Sequence, residues 1–384
     1  MKHLSAIPHR LLVCLLAIYS FVPATAQRKQ PAGFDDDYIF WGYPNVYLNY
    51  EAKFAYPLID RMLQAYPPEV EMSQNRQMAL VALDQFLHDA DYTKRNAFYT
   101  FVNERMAYML TTMDEPVFSG VRVYKLYNSG FILKTLKTTV AIDLVPGGNT
   151  SKPFLTDSVI TEIISRCDAL LVTNSDSRHA NKSIAKAFVE AGKKVYVPQE
   201  LWSNLGEEVV SVGGDTEQTV EADGMTLHIL TGHNGKNTNN IYIMDFQGRG
   251  VVAHTGAQDN DADYDWISQI HDLYDTDILL TKSANIHLED MLEGFLPRMV
   301  ITAHENEMES SVDKRESYWT TQKRLKSLAL LNIPNVVMTW GEAYDYADTE
   351  SKNISSSANK VLINGVLYIE RKGSFYTPAG IKIK

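Results

Sequence analysis

Apolar residues recur three and four apart along 46–63, 78–90 and 93–113. That spacing stripes one face of a helix, so a helical layer opens the folded part of the chain. From Ser119 the spacing changes. VRVYKLYNSGFILKT (121–135) and TTVAIDLVPGG (138–148) are short β-rich runs, broken at Asn128-Ser129-Gly130 and at Gly147-Gly148 as tight connections require. Strand and helix then alternate. A helix over 155–166 leads to the strand ALLVT (169–173). A second helix shows Ile184, Ala187, Phe188 and Ala191 on one face and ends at Gly192.

The strands KVYVP, TLHILTGH, NIYIMDF and GVVAHTG follow, with glycine- or asparagine-rich turns between them. Further along, 263–274 reads as helix, 277–281 as strand, 287–296 as helix, 299–304 as strand, 317–331 as a long helix and 336–340 as strand. The tail, 360–376, reads as a hairpin turning at Asn364-Gly365. Such a mixture predicts an α/β body whose sheets carry helices on their outer faces.

The first residues do not fit that body. MKHLSAIPHRLLVCLLAIYSFVPATAQ carries Lys2 and Arg10, a short apolar run and small residues around Ala24-Thr25-Ala26, the pattern of a secretory leader. The expected organisation is a signal peptide over 1–26, a linker and helical region over 27–118, a body over 119–350 and a linker with hairpin over 351–384. The mature protein is then exported, to the periplasm or the extracellular space, and carries no membrane span. Cys14 leaves with the leader, so Cys167 remains alone and no internal disulfide can form. Loss of Lys2 and Arg10 takes the formal charge from −11 to −13. So acidic a chain argues against nucleic acid or anionic lipid as partner and leaves a small molecule. Oligomeric state is not readable.

The chemistry gathers at strand ends. TNSDSRHAN (173–181) follows one apolar strand, His233 ends TLHILTGH, and His304 ends MVITAH. Side chains at the ends of successive strands can meet at one sheet edge, which is how a fold assembles three or four metal ligands distant in sequence. There is no Gly-x-Ser-x-Gly element for a serine nucleophile and no P-loop.

Over 119–345 the order of elements resembles the metallo-β-lactamase superfamily, metal-dependent hydrolases with an αββα sandwich. The resemblance implies that fold, here with an N-terminal helical extension, and puts Asp143 at the family's early structural aspartate. The family's His-x-His-x-Asp-His becomes Asn174-x-Asp176-x-Arg178-His179. Its next histidine corresponds to His233 and its last to His304. Its bridging aspartate is Ala257, in HTGAQD, and His254 would support the pocket. By this correspondence one ion would meet Asn174, Asp176 and His233, and the other Arg178, His179 and His304.

Arg178 changes the chemistry. A guanidinium stays charged at any working pH. At about 4 Å and an effective dielectric near 20, two unit charges repel by about 4 kcal/mol, and a dication doubles that. Two-ion occupancy is therefore not expected. Two readings stay open, so the chain is an enzyme only in the first. One zinc-like ion on Asp176, His179, His233 and His304 could activate water for hydrolysis of an ester, lactone, amide or phosphoester. Alternatively the chain is a pseudoenzyme that holds no metal. Arg178 and the imidazoles would then form a cationic pocket for an anionic small molecule. Asp259, Asp261 and Asp263 read as a solvated turn, and Glu305 and Glu307 as groups that orient His304 or face water.

Overall fold

The computed structural model describes residues 44–347, except 150, 200, 215–216, 223 and 329–332, together with three later strands. The leader at 1–26 and most of the following linker lie outside the described residues. The chain divides into the units Met1–Phe54 and Ala55–Lys384, and both sheets of the body lie in the second.

Three helices come first: α1 (Pro44–Ala65, which spans the boundary), α2 (Gln74–Leu87) and α3 (Asn96–Met113). Ser73 caps α2 by accepting from Arg76 N, a partner its first turn would otherwise lack. The body holds two seven-stranded sheets. Sheet 1 contains β1 (Val121–Lys125), β2 (Phe131–Lys134), β3 (Thr139–Ile142), β4 (Ala169–Leu171), β5 (Lys194–Pro198) and β6 (Val209–Val212). Helices α4 (Asp157–Arg166) and α5 (Lys182–Glu190) lie between its later strands in sequence. Sheet 2 contains β7 (Gln218–Ala222), β8 (Met225–Asn234), β9 (Asn237–Asp245), β10 (Val251–His254), β11 (Ile278–Lys282), β12 (Met299–Ala303) and β13 (Asn335–Val336). Between them run α6 (Tyr264–Ile267), α7 (Leu288–Phe295) and α8 (Tyr318–Ser327). The last strand, β14 (Ala343–Tyr346), returns to the edge of sheet 1 beside β1.

Both sheets follow one plan. Antiparallel links join β14, β1, β2 and β3, and parallel links continue through β4, β5 and β6. In sheet 2 antiparallel links run from β7 to β10, and parallel links from β10 to β13. A shared apolar core, with Val123, Leu133, Val140 and Leu171 from one sheet and Leu227, Tyr242, Val252 and Leu280 from the other, lies between them. The architecture is therefore the expected αββα sandwich, with helices preceding it.

Helices α2 and α3 are tied to the body by buried charge. Arg76 makes a paired contact with Glu342, Nη1 to Oε1 at 2.8 Å and Nη2 to Oε2 at 2.5 Å. Arg105 donates from Nε to the Trp340 carbonyl at 2.7 Å. Buried arginines need such partners, and here both grip the segment entering β14. Asp84 of α2 accepts from the backbone N of Tyr318 and Trp319, in the first turn of α8, and from Asn306 Nδ2, each at 2.9 Å.

Three readings of the pattern change. The helix expected over 263–274 is α6 plus short 3-10 turns at Asp261–Asp263 and Ile270–Asp272. Asp263, at its start, is turned inward rather than toward solvent. The strand expected over 336–340 stops at Val336, because Trp340 leaves the sheet and packs on Tyr127, ring centroids 5.3 Å apart. The tail forms three antiparallel strands, β15 (Asn359–Ile363), β16 (Val366–Arg371) and β17 (Ser374–Tyr376). Ile363 pairs with Val366, as a two-residue connection requires, and Asn364-Gly365 lies outside the described residues.

Candidate functional site

The ends of β3, β4, β10 and β12 supply the side chains of one cleft edge. After β3 the chain turns at Asp143, which holds φ +47° and is fully buried. Asp143 accepts from Thr173 N and from Thr173 Oγ1, both at 2.8 Å, and faces His179 Nδ1 at 2.7 Å. Burial alone would raise its pKa; the facing imidazole and the Thr173 amide outweigh that and hold it below its ordinary value. Asn128 (φ +58°) and His304 (φ +69°) also adopt left-handed backbone. Three such residues at one edge mark a place where the fold holds strain.

One half of the edge is a network of amides. Asn174 Nδ2 donates to Asn239 Oδ1 at 3.1 Å, and the same oxygen accepts from Ala257 N at 2.9 Å. Asn239 Nδ2 donates to the Thr255 carbonyl at 2.9 Å, and Asn174 Oδ1 accepts from Asp176 N at 3.0 Å. A Cβ at Gly256, itself at φ +58°, would collide with the Asn239 side chain. Asn174 and Asn239 also form an isolated bridge between the two sheets.

The other half is ionic. Arg178 donates to Asp176 from Nε and from Nη2, each at 3.0 Å, and from Nη1 to Glu307 Oε2 at 3.3 Å. The Arg178 contact holds the Asp176 carboxyl down at about 2. Glu307 also accepts from His304 Nδ1 at 2.5 Å. Burial would raise Glu307; the His304 hydrogen bond and Arg178 outweigh it and hold that carboxyl at about 2. Burial pushes the His304 imidazole down to about 4, so a neutral ring donates from Nδ1 and its Nε2 carries a lone pair. That Nε2 is buried without a hydrogen-bond partner. The rings of His179 and His304 lie 5.2 Å apart, centroid to centroid.

Of the residues read from the sequence, His179 and His304 come together, and Asp176 meets Arg178 instead of an imidazole. His233 is half-exposed, its Nδ1 held by both oxygens of Asp263 at 3.1 Å. Asp263 is thus a buried anchor, also held by Gln258 Nε2 at 2.8 Å, and not a solvated turn. Among the described residues no group of three His, Cys, Asp or Glu is arranged to hold an ion. The four-ligand set does not assemble.

A two-ion centre does not fit these residues either. Asn174 is spent on Asn239, position 257 offers only a methyl, and position 178 carries a cation already paired. The charge around Arg178 is mixed in sign. Lys282, whose backbone pairs in register with Ala303, adds positive charge near His304, while Asp176, Glu307 and Glu309 bring negative charge near Arg178. His254 does support the edge. Its Nε2 donates to the Ser129 carbonyl at 2.9 Å while its Nδ1 accepts from Gly256 N at 3.0 Å. The pattern of residues gave no hint of Asn239. It stands in Asn237-Thr238-Asn239-Asn240, which reads as a turn, and its one signal is that it leads directly into an apolar strand.

No protein family and no curated protein matches the chain in sequence. Parts of solved structures align with it. Igni18, a metallo hydrolase from the archaeon Ignicoccus hospitalis KIN4/I, is 17% identical, with 59% of this chain and 98% of that one covered and a TM-score of 0.47. A possible metal-dependent hydrolase from Veillonella parvula DSM 2008 is 16% identical, covering 59% and 100%, at a TM-score of 0.47. The metallo-beta-lactamase fold protein YhfI from Bacillus subtilis is 10% identical, covering 59% and 100%, at 0.43. At such identities and TM-scores these alignments assign neither a family nor an activity. The chain's own paired seven-stranded sheets and their strand order define an αββα sandwich. Fold alone assigns no reaction.

Proposed function

We propose that this protein is a non-catalytic binding protein, a pseudoenzyme that keeps the sandwich and has closed the metal cradle with its own side chains. The observation that carries this is the Arg178 guanidinium, fixed by three hydrogen bonds to Asp176 and Glu307 at the position of a metal ligand. A carboxylate bound on both oxygens by arginine has little left for an ion. The amide network supports the same reading, since it leaves Asn174 and position 257 without a free donor. Export, expected from the leader, makes the ligand one met outside the cytoplasm.

Elemental analysis after equilibration with zinc, manganese and iron tests the proposal. The wild type is expected to hold no stoichiometric metal, and Asn174→His/Arg178→Asp/Ala257→Asp to gain it. One tightly held equivalent in the wild type, lost in His179→Ala and His304→Ala, would overturn it. That outcome would favour a single-ion hydrolase. The facing imidazoles, each backed by a carboxylate on Nδ1, are the feature that keeps this second reading alive.

A further inference from the structure

A groove of 500 Å³ opens between α4 and α5, along the side of the motif loop that carries Ser177. Its size falls within the range that takes small molecules. Ile160 and Ile164 of α4 and Ile184 of α5 form an aliphatic floor, and no aromatic ring lines it. Asp157 and Glu309 stand on its walls, and among the described residues none of those lining it is basic. The two helix ends that reach it are already capped. Thr156 accepts from Val159 N and Asn181 accepts from Ile184 N, so an anion gains little from them.

Glu309 is short of positive partners. Its carboxylate accepts from the Tyr127 hydroxyl at 3.2 Å and from the Gly148 backbone, both neutral donors. Burial raises its pKa, and Glu307 raises it further. Arg178, the nearest guanidinium, is committed to Asp176 and Glu307. An aliphatic floor without aromatic faces offers no cage for a quaternary ammonium. It suits an alkyl chain whose charged end carries N–H donors for carboxylates.

We propose that this groove binds a small aliphatic primary amine, its alkyl body on Ile160, Ile164 and Ile184 and its ammonium between Asp157 and Glu309. The inference gives the binding-protein reading a ligand and rests on that reading for its biological use. The groove borders the loop of Arg178, but none of the residues lining it is a candidate metal ligand.

Hexylammonium is the probe, with hexanoate and 1-hexanol as comparators, titrated into the full-length mature protein. Isoleucine methyl shifts locate binding and calorimetry measures it. Hexylammonium is expected to shift the Ile160, Ile164 and Ile184 methyls and to bind about tenfold more tightly than either comparator. Asp157→Asn/Glu309→Gln, both changes on exposed side chains, should keep its melting temperature and lose about tenfold in amine affinity. Ala187→Phe, which fills the groove, should abolish the methyl shifts. Hexanoate binding as tightly as the amine, an unchanged affinity in the double variant, or no methyl shift at all would each overturn the proposal. The metal content of the same sample reports separately on the non-catalytic reading. A zinc-loaded protein that still shifted the three methyls would sink that reading and leave the groove standing.

Discussion

The two halves of the cleft edge hold their side chains by different physical means. Around Asn239 the donors are neutral amides and backbone groups, all buried and all used. Around Arg178 the groups are charged, partly exposed and arranged in a chain from Asp176 through the guanidinium to Glu307 and His304. A buried neutral network contributes to stability because each lost partner strands another in a low-dielectric interior. An exposed ion-pair chain contributes little to stability and sets the charge state of its members instead. The amide half is therefore structural, and the ionic half governs the electrostatics of the opening.

The contrast is broken most severely at the residue behind both halves. Asp143 satisfies Thr173 twice and His179 once from a fully buried position. Asp143→Ala leaves an imidazole, an amide and a hydroxyl without their acceptor. The expected cost is about 3–5 kcal/mol, read as a lower urea midpoint. A loss below about 1 kcal/mol, the size expected of an exposed contact, would mean that the cluster is not a support.

Asn239→Ala sharpens the comparison at intermediate size. It strands Ala257 N and removes one partner each from Asn174 Nδ2, which keeps Thr173 Oγ1, and from the Thr255 carbonyl, which keeps Gln258 N, for an expected loss of about 2 kcal/mol in urea unfolding. Metal content should not rise, because Asn174 remains an amide and position 257 a methyl. Zinc uptake by this variant would mean that Asn239 alone had been holding the cradle shut.

These differences explain what could be read along the chain and what could not. Strands with continuous apolar runs, such as β4 and β12, declared themselves because both of their faces are buried. His304 was legible for the same reason, as a polar residue directly after such a run, and His179 as part of the polar cluster that follows another. The pairing of Arg178 with Asp176 needs no other element, since they lie two residues apart. Asn239 and Asp263 were not legible. Each sits among residues that ordinarily make solvated turns, and its partner belongs to another element: Asn174 across the sandwich, His233 at the end of β8. Asp84 was hidden likewise, a helix residue whose work is done 222 positions away at Asn306. Pattern reports which face is buried and says little about which polar groups meet there.

The smallest expected effect is the most specific to the ionic half. Arg178 holds the Asp176 carboxyl at about 2, below its ordinary 3.8. A depressed folded-state pKa gives stability that is complete above the ordinary value and disappears as pH falls through the folded one. Asp176 is more than one-third exposed, so that stability is discounted by solvent to about 0.5 kcal/mol or less. In Arg178→Gln the carboxyl should titrate near its ordinary value. The small stability gap between wild type and variant should then stay flat at neutral pH and close as the pH drops from the ordinary value toward 2. Carbon NMR of the Asp176 carboxyl reads this without needing the energy. A wild-type midpoint at its ordinary value would show that the guanidinium does not hold Asp176 in solution, and the cradle would then be open to an ion.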